Sequence, residues 1–211
     1  MAEEEVKEGS ETMEYVIIRP TGVIGTGDFT SCGQVFWAVN FGFFFFLPDV
    51  NGKVCFTHIS DIVKGIEMSI ENPKAKCETI ILSSNPLSYK EVIKIAAKDL
   101  GRMEPIITLP FNLVRATVVI LKPFCSKLFP KRFLFEPKTF DQMIVNLCYS
   151  NKKAKKILGW SPQYTFEEAI HETLTVQLRI GELKKRSYSL FFLILLTLFV
   201  VIFAMVMSKF M

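Results

Sequence analysis

The sequence predicts an α/β fold, with strands and helices in alternation, followed by one membrane-spanning helix at the C-terminus. Three observations predict it. Short β-branched runs alternate with amphipathic segments that open on capping boxes. Gly, Pro and Asn punctuate the junctions. The 20 residues from Ser189 to Ser208 carry no charge, and 17 of them are apolar.

Met1 to Glu14 is acidic and lacks an apolar core, so it does not read as a signal peptide. Tyr15 to Arg19 (YVIIR) reads as a strand closed by Pro20 and a glycine-rich turn. Val54 to Ile59 (VCFTHI) reads as a second strand. Asp61 is then placed to cap a helix that runs through Glu71 and stops at Asn72-Pro73. Glu78 to Leu82 (ETIIL) is a third strand. Ser88-Tyr89-Lys90-Glu91 is a capping box, and the helix behind it sets Val92, Ile95, Ala96 and Leu100 at helical spacing before Gly101 ends it. Phe111 to Leu128 is apolar, but Arg115, Lys122 and Pro123 interrupt it, so it suits a helix pair or a membrane-surface segment better than a span. Ser150 to Leu158 reads as a short basic helix ended by Gly159. A second capping box, Thr165 to Glu168, opens the last helix of the body, with Ala169, Ile170, Leu174, Leu178 and Ile180 on one face.

At about 1.5 Å per residue the Ser189–Ser208 segment spans one bilayer core of about 30 Å. Lys184, Lys185 and Arg186 precede it and only Lys209 follows, a bias that keeps the body cytosolic and sends the C-terminus across. The expectation is a tail anchor, in the endoplasmic reticulum for a eukaryotic protein.

Charge and composition exclude several functions. Lys plus Arg number 25 against 21 Asp plus Glu, a net +4, so nucleic acid is not an expected partner. With two histidines, His58 and His171, no histidine-rich metal site is expected. The five cysteines are odd in number and form no C-x-x-C pair, which suggests reduced, mostly buried thiols.

Two short motifs resemble catalytic ones. Gly22 to Gly27 (GVIGTG) follows a strand, as a dinucleotide-binding loop does, but Asp28 to Ser31 widen the loop before any helix can open from it. Tyr149 to Lys153 matches Y-x-x-x-K, yet Tyr149 precedes the basic helix and Lys153 belongs to its charged face.

Longer segments carry a resemblance. Arg19-Pro20-Thr21-Gly22-Val23-Ile24-Gly25, Phe56-Thr57-His58-Ile59-Ser60-Asp61-Ile62-Val63, and Tyr149 to Ala154 with Leu158-Gly159-Trp160-Ser161-Pro162 are similar, in order, to segments of the extended short-chain dehydrogenases/reductases. The branch they resemble includes 3β-hydroxysteroid dehydrogenases and dihydroflavonol-reductase-like enzymes. The resemblance runs from Ala2 to Thr175 and implies the C-terminal portion of a Rossmann-like fold with its substrate-binding subdomain. Residues 1–14 then correspond to the end of the helix that carries the family's catalytic Tyr and Lys. Residues 15–180 are the body, 181–188 a basic juxtamembrane segment, and 189–208 the anchor.

By the same resemblance, Pro20, Thr21, Gly22 and Val23 pass the nicotinamide of NAD or NADP. Gly25 and the aromatic stretch Phe43, Phe44 and Phe45 face an apolar, sterol-like substrate. The family's cofactor glycine loop, catalytic Ser and Tyr-x-x-x-Lys have no counterpart, so no catalytic residue is assigned. The implied activity is NAD(P)-dependent oxidation or reduction of a hydroxyl or ketone, with this chain inactive alone. The alternative is a non-catalytic tail-anchored module that pairs with a full-length relative or a second copy.

Overall fold

The computed structural model describes residues 2–9, 13–28, 32–41, 46–104, 107–116, 119–120, 141 and 143–183. The expected membrane span 189–208, the residues Phe43, Phe44 and Phe45, and most of the 111–128 stretch lie outside the described residues. Among the described residues no helix is long and apolar enough to cross a membrane.

Helix α1 (Ala2–Glu8) is exposed and is tied to the next element by an ion pair between Glu3 and Arg19. Strand β1 (Val16–Pro20) continues through Thr21 into β2 (Gly22–Ile24), and helix α2 (Cys32–Phe41) comes after it. Next come β3 (Phe46–Pro48), β4 (Lys53–Val54), β5 (Phe56–His58), α3 (Ile59–Glu71), a 3-10 turn at Pro73–Ala75 and β6 (Glu78–Leu82). Strand β7 (Leu87–Ser88), α4 (Tyr89–Asp99), β8 (Ile107–Leu109), α5 (Lys152–Leu158) and α6 (Phe166–Arg179) complete the labelled elements.

The strands pair in twos, three pairs parallel and one antiparallel. β1 runs parallel to β6, from Val16 opposite Glu78 to Pro20 opposite Leu82. One residue later the chain changes partner, and β2 runs parallel to β5 with Val23 opposite Thr57. β3 and β8 are parallel, whereas β4 and β7 are antiparallel.

Two apolar clusters hold these layers. Ile62 of α3, Ile80 and Leu82 of β6, Ala154 and Leu158 of α5, and Trp160 cover one face of the β1–β6 pair. Phe36 of α2, Val92, Ile93 and Ala96 of α4, and Ile170 and Leu174 of α6 form the second with Ile24. On the other face of β1–β6, Ile17 and Ile81 remain half-exposed, and β1 has no ladder partner but β6 among the described residues.

Both capping boxes form as expected. Ser88 caps α4 with Glu91 returning to it, and Thr165 caps α6 with Glu168. Hydrogen bonds from the Ser88 side chain and backbone hold the Glu91 carboxyl below its usual range, and those from the Thr165 backbone and side chain do the same for Glu168.

Four expectations need correction. No glycine-rich turn follows Pro20: only Thr21 separates β1 from β2, because Gly22–Ile24 finds a parallel partner in Phe56–His58. The VCFTHI run is two strands that break at Cys55, because β4 has an antiparallel partner and β5 a parallel one. The cap of α3 is His58, whose Nδ1 accepts from the Ser60 N–H at 3.4 Å; Asp61 lies inside the first turn and is directed elsewhere. Of the four described thiols, only Cys32 and Cys55 are buried, while Cys77 and Cys148 are exposed.

Candidate functional site

In doubly wound sheets ligands bind beyond the carboxyl ends of the strands, where the chain changes partner. Here β1 and β6 end together, and the Thr21 N–H reaches the Leu82 carbonyl at 3.1 Å. Thr57 is the hub of a polar cluster at this point. Its hydroxyl lies 2.9 Å from the Thr21 hydroxyl and accepts from the Ser84 N–H at 3.0 Å. The Ser84 hydroxyl donates to the Phe56 carbonyl at 2.5 Å, and Asn151 Nδ2 donates to the Ser83 carbonyl at 2.8 Å. Four chain segments therefore meet where the sheet switches from β1–β6 to β2–β5.

The residues expected at a cofactor, Pro20, Thr21, Gly22 and Val23, lie along this switch. Pro20 is exposed, and the other three are half-buried. A β-carbon on Gly22 would sit 2.5 Å from the Phe56 ring, so glycine here makes room for that ring, which also meets Phe166 edge-to-face at 5.6 Å. Gly25 is buried, and a β-carbon there would come within 2.7 Å of the Ile59 side chain. In both cases the close approach lies within the chain. Sequence reading singled out Thr21 but missed Thr57, Ser84 and Asn151 as partners, since no local spacing links positions so far apart.

A second polar group lies beside the hub. Asp61, 3% exposed, accepts from the backbone N–H groups of Gln163 (3.0 Å) and Tyr164 (3.2 Å), and Trp160 Nε1 donates to the Asp61 carbonyl at 2.8 Å. Gly65 lets α3 approach, since a β-carbon would lie 2.5 Å from a Leu82 methyl and 3.1 Å from Trp160 Nε1. The His58 ring stacks on Tyr164 with centroids 3.9 Å apart, and its Nε2 stands 3.6 Å from the Glu172 carboxylate. Asp61 thus clasps α3 to the 160–164 segment.

The Tyr149–Lys153 pair forms no acid/base dyad. Tyr149 is 53% exposed and precedes α5, while Lys153 pairs with Glu78 at 2.6 Å. Among the described residues no cluster of His, Cys, Asp and Glu could hold a metal ion.

No protein-family model matches the chain. It is 27% identical over 172 residues to a 3-beta-hydroxysteroid dehydrogenase of Mycolicibacterium neoaurum, covering 79% of this chain and 47% of that protein. It is 28% identical over 164 residues to a UDP-glucose 4-epimerase of Vibrio cholerae, covering 77% and 46%. The chain therefore spans about half the length of the curated relatives it matches. Among solved structures, a nucleoside-diphosphate-sugar epimerase from Pseudomonas aeruginosa superposes with a TM-score of 0.62 at 17% identity, covering 85% of this chain and 53% of the other. A dTDP-glucose 4,6-dehydratase from Bacillus anthracis, in complex with NAD, gives 0.53 at 15%, covering 78% and 45%.

Proposed function

We propose, from the premise that this chain is a relative of the extended short-chain dehydrogenases/reductases, a family of NAD(P)-dependent oxidoreductases, that it supplies the substrate-side half of such an enzyme. The reaction is oxidation or reduction of a hydroxyl or ketone on a sterol-like or other apolar molecule. The observation that carries this reading is the convergence of the Pro20–Val23 strand switch, Thr57 and Ser84 at the carboxyl ends of parallel strands. The Pro20–Val23 backbone borders the nicotinamide, and the Phe-rich 41–46 stretch favours an apolar substrate over a sugar nucleotide. The 189–208 segment anchors the body on the cytosolic side of a membrane.

The chain alone does not turn over, because Tyr149 stands exposed ahead of α5 and Lys153 is engaged by Glu78, so the two are not assembled for proton transfer. The test uses the purified 211-residue chain in detergent micelles. A fluorescent sterol is expected to bind saturably and UDP-glucose not to bind, with no NAD(P)-dependent oxidation of a 3β-hydroxysteroid. Preferential UDP-glucose binding would overturn the substrate class, and measurable turnover would overturn the claim of inactivity.

A second reading is a non-catalytic module that pairs with a full-length relative or a second copy. The outer edge of β1, unpaired among the described residues, and half-exposed Ile17 and Ile81 favour it. A stoichiometric partner co-purifying from detergent supports that reading; a monodisperse monomer opposes it.

A further inference from the structure

Strand β4 and the 143–148 segment run side by side. The Gly52 N–H donates to the Met143 carbonyl (3.1 Å), the Lys53 N–H to the Asn146 side-chain oxygen (3.0 Å), and the Leu147 N–H to the Lys53 carbonyl (2.8 Å). A parallel bridge joins Val54 to Leu147. A β-carbon on Gly52 would collide with the Met143 carbonyl, so glycine is what permits this approach. One further step in the same register sets Cys55 beside Cys148, on the same side of the paired segments. Paired strands are about 4.8 Å apart, inside the roughly 4.4–6.8 Å between Cα atoms that a disulfide bridges.

The two thiols differ in access. Cys55 is buried and Cys148 is exposed, so a small oxidant meets Cys148 first. Desolvation, then the neighbouring Cys55 thiol, raises Cys148 above the usual thiol range, so its reaction with peroxide is slower than that of a low-pKa thiolate. Cys32 is a poor competitor, since burial and then the Asp28 charge hold it well above that range.

We propose that Cys55 and Cys148 are an oxidisable dithiol whose disulfide staples the 143–148 segment to the β4–β5 junction. Hydrogen peroxide supplies the oxidant. The Cys148 sulfur, losing its proton, attacks one peroxide oxygen; the O–O bond breaks, water leaves and a sulfenic acid forms. The Cys55 sulfur, losing its own proton, then attacks the Cys148 sulfur, the S–O bond breaks and a second water leaves. Each sulfur gives up one electron and the peroxide takes two. The staple would lie just ahead of Thr57 on one strand and of Asn151 on the other segment, the two residues that hold Ser83 and Ser84 in the polar cluster.

The test is peptide mapping of the folded full-length chain in micelles, treated with hydrogen peroxide and alkylated without reduction. Trypsin releases Cys55 in the peptide Val54–Lys64 and Cys148 in Thr139–Lys152. The expected result is one cross-linked pair of these peptides, two hydrogens lighter than their sum, together with a drop of about tenfold in maleimide labelling of Cys148. Dithiothreitol reverses both, C77S leaves the cross-link intact and C148S abolishes it. The proposal is overturned if Cys148 ends as a sulfinic or sulfonic acid without cross-linking. It is equally overturned if Cys148 pairs with Cys77 or Cys125, or if the Cys55–Cys148 link forms only in denaturant.

Discussion

Replacing Asp61 with alanine tests whether the 160–164 segment is held by one carboxylate. Two backbone N–H groups, of Gln163 and Tyr164, donate to it at 3.0 and 3.2 Å. Hydrogen bonds to a charged acceptor contribute about 1.5–3 kcal/mol each, and a stranded donor costs about 1–3 kcal/mol. Both residues are exposed, so water recovers part of the loss and the lower end of each range applies. Asp61→Ala is therefore expected to destabilise by about 3–4 kcal/mol, a large share of a domain stability of about 5–15 kcal/mol. Asp61→Asn keeps one acceptor and turns an amide NH2 towards the other donor, so about half that cost is expected. Trp160 donates to the Asp61 main-chain carbonyl, a contact both variants keep, so its fluorescence reports the neighbourhood without being a casualty of the substitution. Guanidinium unfolding monitored by that fluorescence, in a Trp37→Phe background, gives the three stabilities. A loss below about 0.5 kcal/mol for Asp61→Ala, the range of ordinary surface changes, would refute the clasp. Equal losses for the Asn and Ala variants would show that the charge, rather than the two-donor geometry, is what the fold uses.

Thr57→Val removes the hydroxyl shared by Thr21 and Ser84 and is expected to cost about 1–3 kcal/mol in the same unfolding assay, with Thr57→Ser recovering most of it. Ser88→Ala removes the α4 cap and is expected to cost about 1 kcal/mol. The capping carboxylate of Glu91 titrates below its unfolded value of 4.5, so its contribution is full above that pH and fades as pH falls through the folded value. Melting curves of the parent and Glu91→Gln should accordingly differ at neutral pH and converge in acid. Burial first, and the Cys32 thiol second, push Tyr89 up to about 12 from the usual 10.0. Its contribution is full below pH 10 and is lost as pH climbs through the folded value, so Tyr89→Phe should flatten the fall in stability over that interval. An unchanged alkaline limb would count against a buried phenol at this site.

Legibility in the sequence tracked the range of each interaction. The boxes at Ser88–Glu91 and Thr165–Glu168 are complete within four residues, and both form as read. Glu78–Leu82 is legible as a strand because its β-branched run is bounded on both sides by turn residues. Asp61 reads as a cap in the sequence because an acidic residue near a helix start has two uses, cap or distant acceptor, and only the arrival of Gln163 and Tyr164 decides between them. The Thr21–Thr57–Ser84 cluster and the Cys55–Cys148 pair depend on strand register across long stretches of chain. No periodicity within either strand encodes that register.

The segments that best mark the family in sequence turn out to hold one another. Phe56 to Val63 supplies the His58 cap, the Asp61 acceptor and the Asp61 carbonyl, while Leu158 to Pro162 supplies Trp160 and leads into the two N–H donors. Gly65 completes the contact by letting α3 settle on Leu82 and Trp160. Each is a buried polar or close-packed arrangement that fails if one partner changes alone, which is reason enough for such residues to occur together. The signature segments also supply Thr21 and Thr57, so the residues that carry the resemblance both hold the fold together and build the polar cluster at the strand ends.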